Sequence, residues 1–186
     1  MKKLIFTTIL SITFLSCEKK VSDSEKIGQN TDSIVTEESI QEVSKNPLII
    51  KSISDVSEDL QKKNDTLYIT NFFATWCGPC VREIPHFKNK IETLQNQPVK
   101  ITFVSVDNKD VWNTDVEEFV DVHGIRNNTV LLDGEQMDAN FFSNNFKEWK
   151  GDAIPFTFMR KGSKTNETLG MMSAEDLDAK ITSLQQ

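Results

Sequence analysis

Residues 67–85, LYITNFFATWCGPCVREIP, decide the fold of this chain. Leu67 to Phe73 is a nearly continuous apolar and β-branched run, which predicts a central strand covered on both faces. A helix is predicted to begin near Cys77 and to run to about Asn96. Its apolar positions recur every three or four residues, at Ile84, Phe87, Ile91 and Leu94. Cys77 and Cys80 therefore lie where a buried strand ends and a helix begins.

This location favours a reactive cysteine pair. The first turn of a helix presents unpaired N–H groups and a positive dipole potential, and both stabilise a thiolate. In C-x-x-C motifs the pKa of the first thiol falls from about 8.5 into a range of roughly 3.5–7.5. The first cysteine can attack a substrate disulfide and the second can resolve the mixed disulfide. Gly78 and Pro79 set the turn, and Trp76 is expected to shelter one side of the pair.

Three other uses of a cysteine pair have different sequence requirements. A structural zinc site needs four ligands, and beyond this one pair only His86 and His123 remain as soft ligands. A c-type haem attachment needs C-x-x-C-H, but Val81 follows Cys80. A purely structural disulfide stays open, although a bridge closing so small a loop stabilises little.

On both sides of this junction, the sequence predicts strands alternating with helices. This order favours an α/β fold with a central mixed β-sheet covered by helices on both faces. Pro47 marks the start of the folded domain, and an N-cap at Asp55 begins the first helix. The other predicted strands are Leu48 to Ile53, Val99 to Val106, Thr129 to Leu132, Pro155 to Arg160 and Asn166 to Gly170. Of the other predicted helices, three end at about Lys62, Gly124 and Leu184, and one spans Gln136 to Phe146. The last helix is capped by Ser173 with Asp176.

The N-terminus is typical of an export signal. Lys2 and Lys3 precede the apolar run Leu4 to Leu15, which is too short for a membrane span of roughly 20 residues. Ser16 and Cys17 follow, as in bacterial lipoprotein signals, so residues 1–16 are predicted to be a signal peptide and Cys17 to be lipidated. Plain secretion and an uncleaved anchor are the alternatives. Acyl chains would hold the protein to a membrane of the cell envelope, facing the periplasm or the outside.

Residues 17–46 are predicted to form a lipidated cysteine and a flexible tether, because the segment is polar and lacks a sustained apolar period. The folded domain is predicted to span residues 47–186. The formal charge of −7 becomes −9 if cleavage removes the two N-terminal lysines. This acidity argues against nucleic acid as a partner.

Residues 71–85 resemble the active-site stretch of the thioredoxin superfamily, and most closely its TlpA/ResA-like exported branch. The resemblance covers about residues 47–186. It implies a thioredoxin fold, with Cys77 as nucleophile, Cys80 as resolving cysteine and a redox-active Cys77–Cys80 disulfide. Thioredoxins carry a buried Asp where this chain has Asn71. The TlpA/ResA-like branch instead implies that Glu83 tunes the thiols and shuttles a proton; the alternative is a solvated glutamate in the first helical turn.

A second segment, AIPFTF at residues 153–158, resembles the stretch that carries the cis-proline of this family. The resemblance implies a cis Ile154–Pro155 bond facing the cysteines. The substrate would bind at Trp76, Ile154 and Pro155, as a short added strand. Trp149, in the preceding polar loop, is expected either to line the substrate groove or to pack in the interior.

The resemblance implies a thiol–disulfide oxidoreductase. The Gly-Pro dipeptide favours reduction of disulfides in exported proteins, with electrons from a membrane electron-donor protein and no dissociable cofactor. The alternative is a copper metallochaperone or non-catalytic binding module on the same fold, although copper-delivering relatives use a wider cysteine spacing. A peroxide-reducing role also stays open.

Overall fold

The computed structural model describes residues 45–186, and these form a six-stranded sheet with helices on both faces. The strands are β1 (Ile49–Ile50), β2 (Leu67–Phe73), β3 (Val99–Ser105), β4 (Thr129–Leu131), β5 (Phe156–Lys161) and β6 (Lys164–Leu169). The helices are α1 (Ile53–Leu60), α2 (Gly78–Thr93), α3 (Glu117–Val122), α4 (Ala139–Asn145) and α5 (Ala174–Gln185). The predicted alternation of strands and helices is confirmed.

The sheet has the order β1-β4-β3-β2-β5-β6, so β2 lies in its interior. Strands β1 to β4 pair in parallel, whereas β5 runs antiparallel to β2 and β6 antiparallel to β5. The sheet is therefore mixed, as predicted. Because β2 and β5 are antiparallel, the end of β2 lies beside the start of β5. Phe72 pairs with Phe156, and Asn71 pairs with Thr157.

The sheet separates two apolar cores. Successive residues of a strand point to opposite faces, so Phe72 and Phe73 enter different cores. Helices α2, α3 and α5 cover the face of Phe73, and α1 and α4 cover the face of Phe72. A strand buried on both faces explains why β2 reads as a nearly continuous apolar run.

The first helix begins earlier than the sequence predicted. Ser52, not Asp55, is the N-cap residue, and the two form a capping box. The Ser52 hydroxyl accepts the Asp55 N–H at 3.2 Å, and the Asp55 carboxylate accepts the Ser52 N–H at 2.9 Å. The box draws Ile53 into the helix, so the strand predicted over residues 48–53 shortens to Ile49–Ile50.

The region before α3 is more irregular than predicted. A 3₁₀ turn over Lys109–Val111 leads into a π-helical turn over Trp112–Val116, and α3 follows directly. Similarly, a 3₁₀ turn over Gly134–Gln136 occupies the start of the helix predicted from residue 136, and α4 begins at Ala139.

The predicted signal peptide, Cys17 and the tether as far as residue 44 lie outside the described residues. Within residues 45–186, no helix is long and apolar enough to cross a membrane.

Candidate active site

A disulfide joins Cys77 and Cys80 at the N-terminus of α2. Cys77 has an extended backbone and is the N-cap residue. Its Sγ accepts the Cys80 N–H at 3.3 Å, in the position that a serine or aspartate oxygen takes in other helix caps. Residues 74–76 connect the end of β2 to this cap, and the Ala74 carbonyl accepts the Cys77 N–H at 3.1 Å. The strand, the short loop and the helix start together set the position of the first sulfur.

The two cysteines differ in their access to solvent. Cys77 is 4% exposed in the disulfide, and Cys80 is completely buried. Gly78 and Pro79 between them are exposed, and Trp76 is 75% exposed. Of the two cysteines, Cys77 is therefore the one that reaches solvent.

Glu83 lies three residues after Cys80 in α2 and is completely buried. The alternative of a solvated glutamate in the first helical turn is therefore wrong. Its Oε1 accepts the Asn71 Nδ2–H at 2.7 Å, and its Oε2 accepts the Met172 backbone N–H at 2.9 Å. Burial outweighs these two bonds and raises the pKa of Glu83 from 4.5 to about 7, a rise in the expected direction.

Asn71 connects Glu83 to the neighbouring strand. Its Nδ2 also donates to Thr157 Oγ1 at 2.9 Å, while its Oδ1 has no hydrogen-bond partner among the described residues. Thr157 and Met172 were not predicted as members of this network. The Met172 contact uses only a backbone N–H, which leaves no side-chain signal in the sequence. The Thr157 contact depends on the register between β2 and β5.

The Ile154–Pro155 peptide bond is cis, as the resemblance implied. Because β5 begins at Phe156 and pairs with the end of β2, Pro155 lies at the same end of these strands as the loop to Cys77. The Pro155 carbonyl accepts the Gly170 N–H at 2.8 Å. The main-chain N–H and C=O of Ile154 make no hydrogen bond within residues 45–186.

Asp107 is a further buried carboxylate near the site that sequence reasoning missed. It follows β3 and accepts the Thr75 N–H on both oxygens at 3.1 Å, with a further bond from Thr75 Oγ1 at 2.8 Å. Ser105 Oγ donates to it at 2.9 Å. Asp107 thus holds the loop that leads into the cysteine pair.

The remaining candidates are packing residues. Trp149 is buried, its Nε1 donates to the Ala153 carbonyl at 2.9 Å, and its ring stacks on Phe156, so it does not line a substrate groove. His86 is half-buried, and the His123 ring packs against Phe119 with centroids 4.3 Å apart. Among residues 45–186, no group of three or more His, Cys, Asp or Glu residues could hold a metal ion.

Comparison with known proteins gives one family match and several relatives. The model of the AhpC/TSA family matches residues 37–162. Sporulation thiol-disulfide oxidoreductase A of Bacillus subtilis (strain 168) is 30% identical over 112 residues, which is 59% of this chain and 62% of that protein. The chain thus spans about three fifths of the length of this relative. Thioredoxin of Ictalurus punctatus is 31% identical over 91 residues, which is 48% of this chain and 79% of that protein.

A solved structure gives the same result for the fold. The thiol:disulfide interchange protein of the thioredoxin family from Chlorobium tepidum TLS superposes with a TM-score of 0.56 at 23% identity. The match covers 70% of this chain and 85% of that one. The predicted thioredoxin-like fold is confirmed.

Proposed function

Because the chain belongs to the AhpC/TSA family, we propose that it is a thiol–disulfide oxidoreductase that reduces disulfides of exported proteins. The cycle runs between a dithiol and the Cys77–Cys80 disulfide. The observation that carries the proposal is the position of this disulfide, with Cys77 as the N-cap residue of α2. Relatives named as a thiol-disulfide oxidoreductase and a thioredoxin support it by similarity.

Cys77 is the proposed nucleophile. In the reduced protein, the Cys80 N–H and the positive end of the α2 dipole stabilise the negative charge of the Cys77 thiolate. The thiolate attacks one sulfur of the substrate disulfide and forms a mixed disulfide. The substrate S–S bond breaks, and the departing sulfur takes a proton from solvent.

Cys80 then resolves the mixed disulfide by attacking the Cys77 sulfur. Reduced substrate leaves, two electrons have passed to it, and the Cys77–Cys80 bond is restored. Before it attacks, Cys80 must lose its proton. Glu83 is the proposed acceptor, since residues three apart in a helix share a face and a carboxylate with a pKa of about 7 exchanges protons near neutral pH.

The substrate is proposed to bind beside Trp76, Ile154 and Pro155. The main-chain groups of Ile154 make no internal hydrogen bond in the described part of the chain. They are therefore suited to pair with an extended peptide, which would add as a short strand at this edge of the site. The exposed ring of Trp76 supplies apolar surface next to the cysteines.

The cellular setting is proposed from the N-terminal sequence. Residues 1–16 act as a signal peptide, Cys17 carries the lipid, and residues 17–46 tether the domain of residues 47–186 to a membrane of the cell envelope, facing the periplasm or the outside. A random coil of this length reaches about 30 Å on average. The cycle needs an external reductant, and a membrane electron-donor protein fits that position.

The function is tested by trapping on a defined substrate. Reduced protein with Cys80→Ala, mixed with insulin, should stall as a mixed disulfide that appears as an adduct in mass spectrometry and disappears with dithiothreitol. The matched variant Cys77→Ala should form no adduct, because the attacking sulfur is gone. A blank result with both variants, together with failure of the unaltered protein to reduce insulin, would exclude the proposed activity. A peroxide turnover assay on the same protein tests the peroxide-reducing role.

A further inference from the structure

A groove of about 690 Å³ opens beside the cysteine pair, between the loop that leads to Cys77 and α3. Trp76 and Val122 both line it. With 75% and 74% exposure, they are the two most exposed large apolar side chains among residues 45–186. Exposed apolar side chains that gather at one groove are typical of an interaction surface.

The same groove carries negative charge. Asp107, Asp115 and Glu118 line it, and no lysine or arginine does. The Asp107 carboxylate is buried and already bonded to Thr75 and Ser105. Asp115 and Glu118, in contrast, are exposed, and neither forms a salt bridge or a side-chain hydrogen bond within the described residues.

Some acidic residues of the domain are neutralised by neighbours. On another side of α3, Glu117 and Asp121 both pair with Arg126. Asp59 pairs with Lys51 and Lys62. Exposed carboxylates without a salt bridge, such as Glu58 and Asp65, also occur elsewhere on the domain. Asp115 and Glu118 differ from them in lining one groove together with the exposed Trp76 and Val122.

The cations near the groove lie outside its lining. Lys109 pairs with Asp133 at 3.1 Å. Lys88 lies beside Gly124, past the C-terminal end of α3, and Arg82 lies beside Gly78 on α2. The lining of the groove therefore combines apolar surface with two unpaired negative charges, and Lys88 borders an adjoining cavity that shares Val122 and His123 with it.

We infer that this groove binds an extended polypeptide segment that carries lysine or arginine close to the cysteine that Cys77 attacks. The inference rests on the proposed function and specifies its substrate class. Charge complementarity selects a basic segment and speeds its encounter. The exposed faces of Trp76 and Val122 supply contact area for the aliphatic parts of the same side chains, since long cationic side chains pack their stems on apolar surface.

The test compares three synthetic peptides that share one cysteine and differ only in its flanking residues, which are two lysines, two serines or two glutamates. Each cysteine carries a neutral 2-thiopyridyl disulfide. The Cys77 thiolate of pre-reduced protein attacks the peptide sulfur and the peptide–pyridyl S–S bond breaks. The departing pyridine-2-thiolate takes a proton from solvent and becomes pyridine-2-thione. Cys80 then attacks the Cys77 sulfur and displaces the reduced peptide. Release of the thione, followed by absorbance in single-turnover mixing, gives a second-order rate constant for each peptide.

At low ionic strength the lysine peptide should react on the order of tenfold faster than the glutamate peptide, because electrostatic steering raises association rates by at least that factor. The ratio should approach one in about 1 M salt, where the Debye length is about 3 Å. Asp115→Asn combined with Glu118→Gln should bring the low-salt ratio to within about twofold of unity, because the two unpaired charges of the groove are gone.

The matched control is Glu58→Gln combined with Asp65→Asn. It removes the same charge from exposed positions near the start of β2, at the opposite end of that strand from Cys77. This control should keep the ratio of the unaltered protein, and Asp115→Lys with Glu118→Lys should invert it. Equal rates for the three peptides, or an equal loss of preference in the control, would overturn the charge preference and leave the oxidoreductase function standing. Thione release from the Cys77→Ala protein as fast as from the unaltered one would overturn the function itself.

Discussion

Replacing Glu83 with glutamine removes a buried ionisable group while keeping its length and an acceptor oxygen. In the folded protein the pKa of Glu83 is about 7, compared with 4.5 for a free glutamate. One pKa unit corresponds to about 1.4 kcal/mol, so ionising Glu83 in the folded protein costs about 3 kcal/mol relative to the unfolded chain. This cost should appear in the pH dependence of stability, and Glu83→Gln should abolish it.

The sign of this pH dependence follows from whether the folded or the unfolded chain holds the proton more tightly. Below pH 4.5 both the folded and the unfolded chain keep Glu83 protonated, and the group contributes no pH dependence. Between pH 4.5 and 7 the unfolded chain releases the proton first, so the free energy of unfolding falls as pH rises. Above about pH 7 both states are ionised and the full loss of about 3 kcal/mol has accumulated.

Urea unfolding of the oxidised protein and of Glu83→Gln, from about pH 4 to about pH 9, measures this difference. The disulfide keeps both cysteines from titrating. Carboxylates whose pKa values are lowered by lysine or arginine partners, such as Asp59 and Asp121, shift stability in the opposite direction but equally in both proteins. The glutamine side chain also changes the hydrogen bonds from Asn71 and Met172, which moves its curve by a constant. Parallel curves for the two proteins across this range would refute the reasoning.

Two further predictions concern packing around the site. Asp107→Ala should lower the free energy of unfolding by about 2–3 kcal/mol, because the Thr75 N–H and hydroxyl lose their buried acceptor. Urea unfolding measures this loss. The exposed control Asp110→Ala should change the free energy of unfolding by less than about 0.5 kcal/mol. Trp149→Phe should lower the free energy of unfolding by about 1–2 kcal/mol, because the hydrogen bond from Nε1 to the Ala153 carbonyl is lost. The rate of insulin reduction should stay unchanged. A slower reaction without a loss of stability would show instead that this ring contacts the substrate.

Much of the fold could be predicted because its strongest elements carry their own local signals. Strand β2 was predicted over the same residues that the structure shows, since its apolar run is set by burial on both faces. The cap of α5 was also predicted, and the Ser173 hydroxyl accepts the Asp176 N–H at 3.1 Å. The start of α1 was mispredicted because two overlapping N-cap patterns, from Ser52 and from Asp55, are both present in the sequence.

The candidate site could be predicted where a short motif marks it, as at the strand–helix junction and at the cis Ile154–Pro155 bond. Cys77, Cys80 and Glu83 lie within one strand–helix junction, and motif resemblance names them without any long-range information. The partners that hold Glu83 come from elsewhere, at sequence separations of 12 residues to Asn71 and 89 residues to Met172. These two contacts depend on how α2 packs against β2 and on how the segment before α5 packs against α2, and no single-sequence pattern encodes either packing.

The two sulfurs of one short motif have different surroundings, because Cys77 caps α2 and Cys80 lies three positions further along. Cys77 is outside the first turn, where its Sγ can accept a backbone N–H that no helical carbonyl uses. Cys80 is inside that turn, on the face that the sheet and α5 bury. Glu83 lies three residues further along the same face. It accepts hydrogen bonds from Asn71 on β2 and from Met172 in the segment before α5. In the proposed mechanism the helix end thus stabilises charge on the attacking sulfur. The buried carboxyl group receives a proton from the resolving sulfur, and Asn71, which does not titrate, leaves Glu83 without a second carboxylate to compete for that proton.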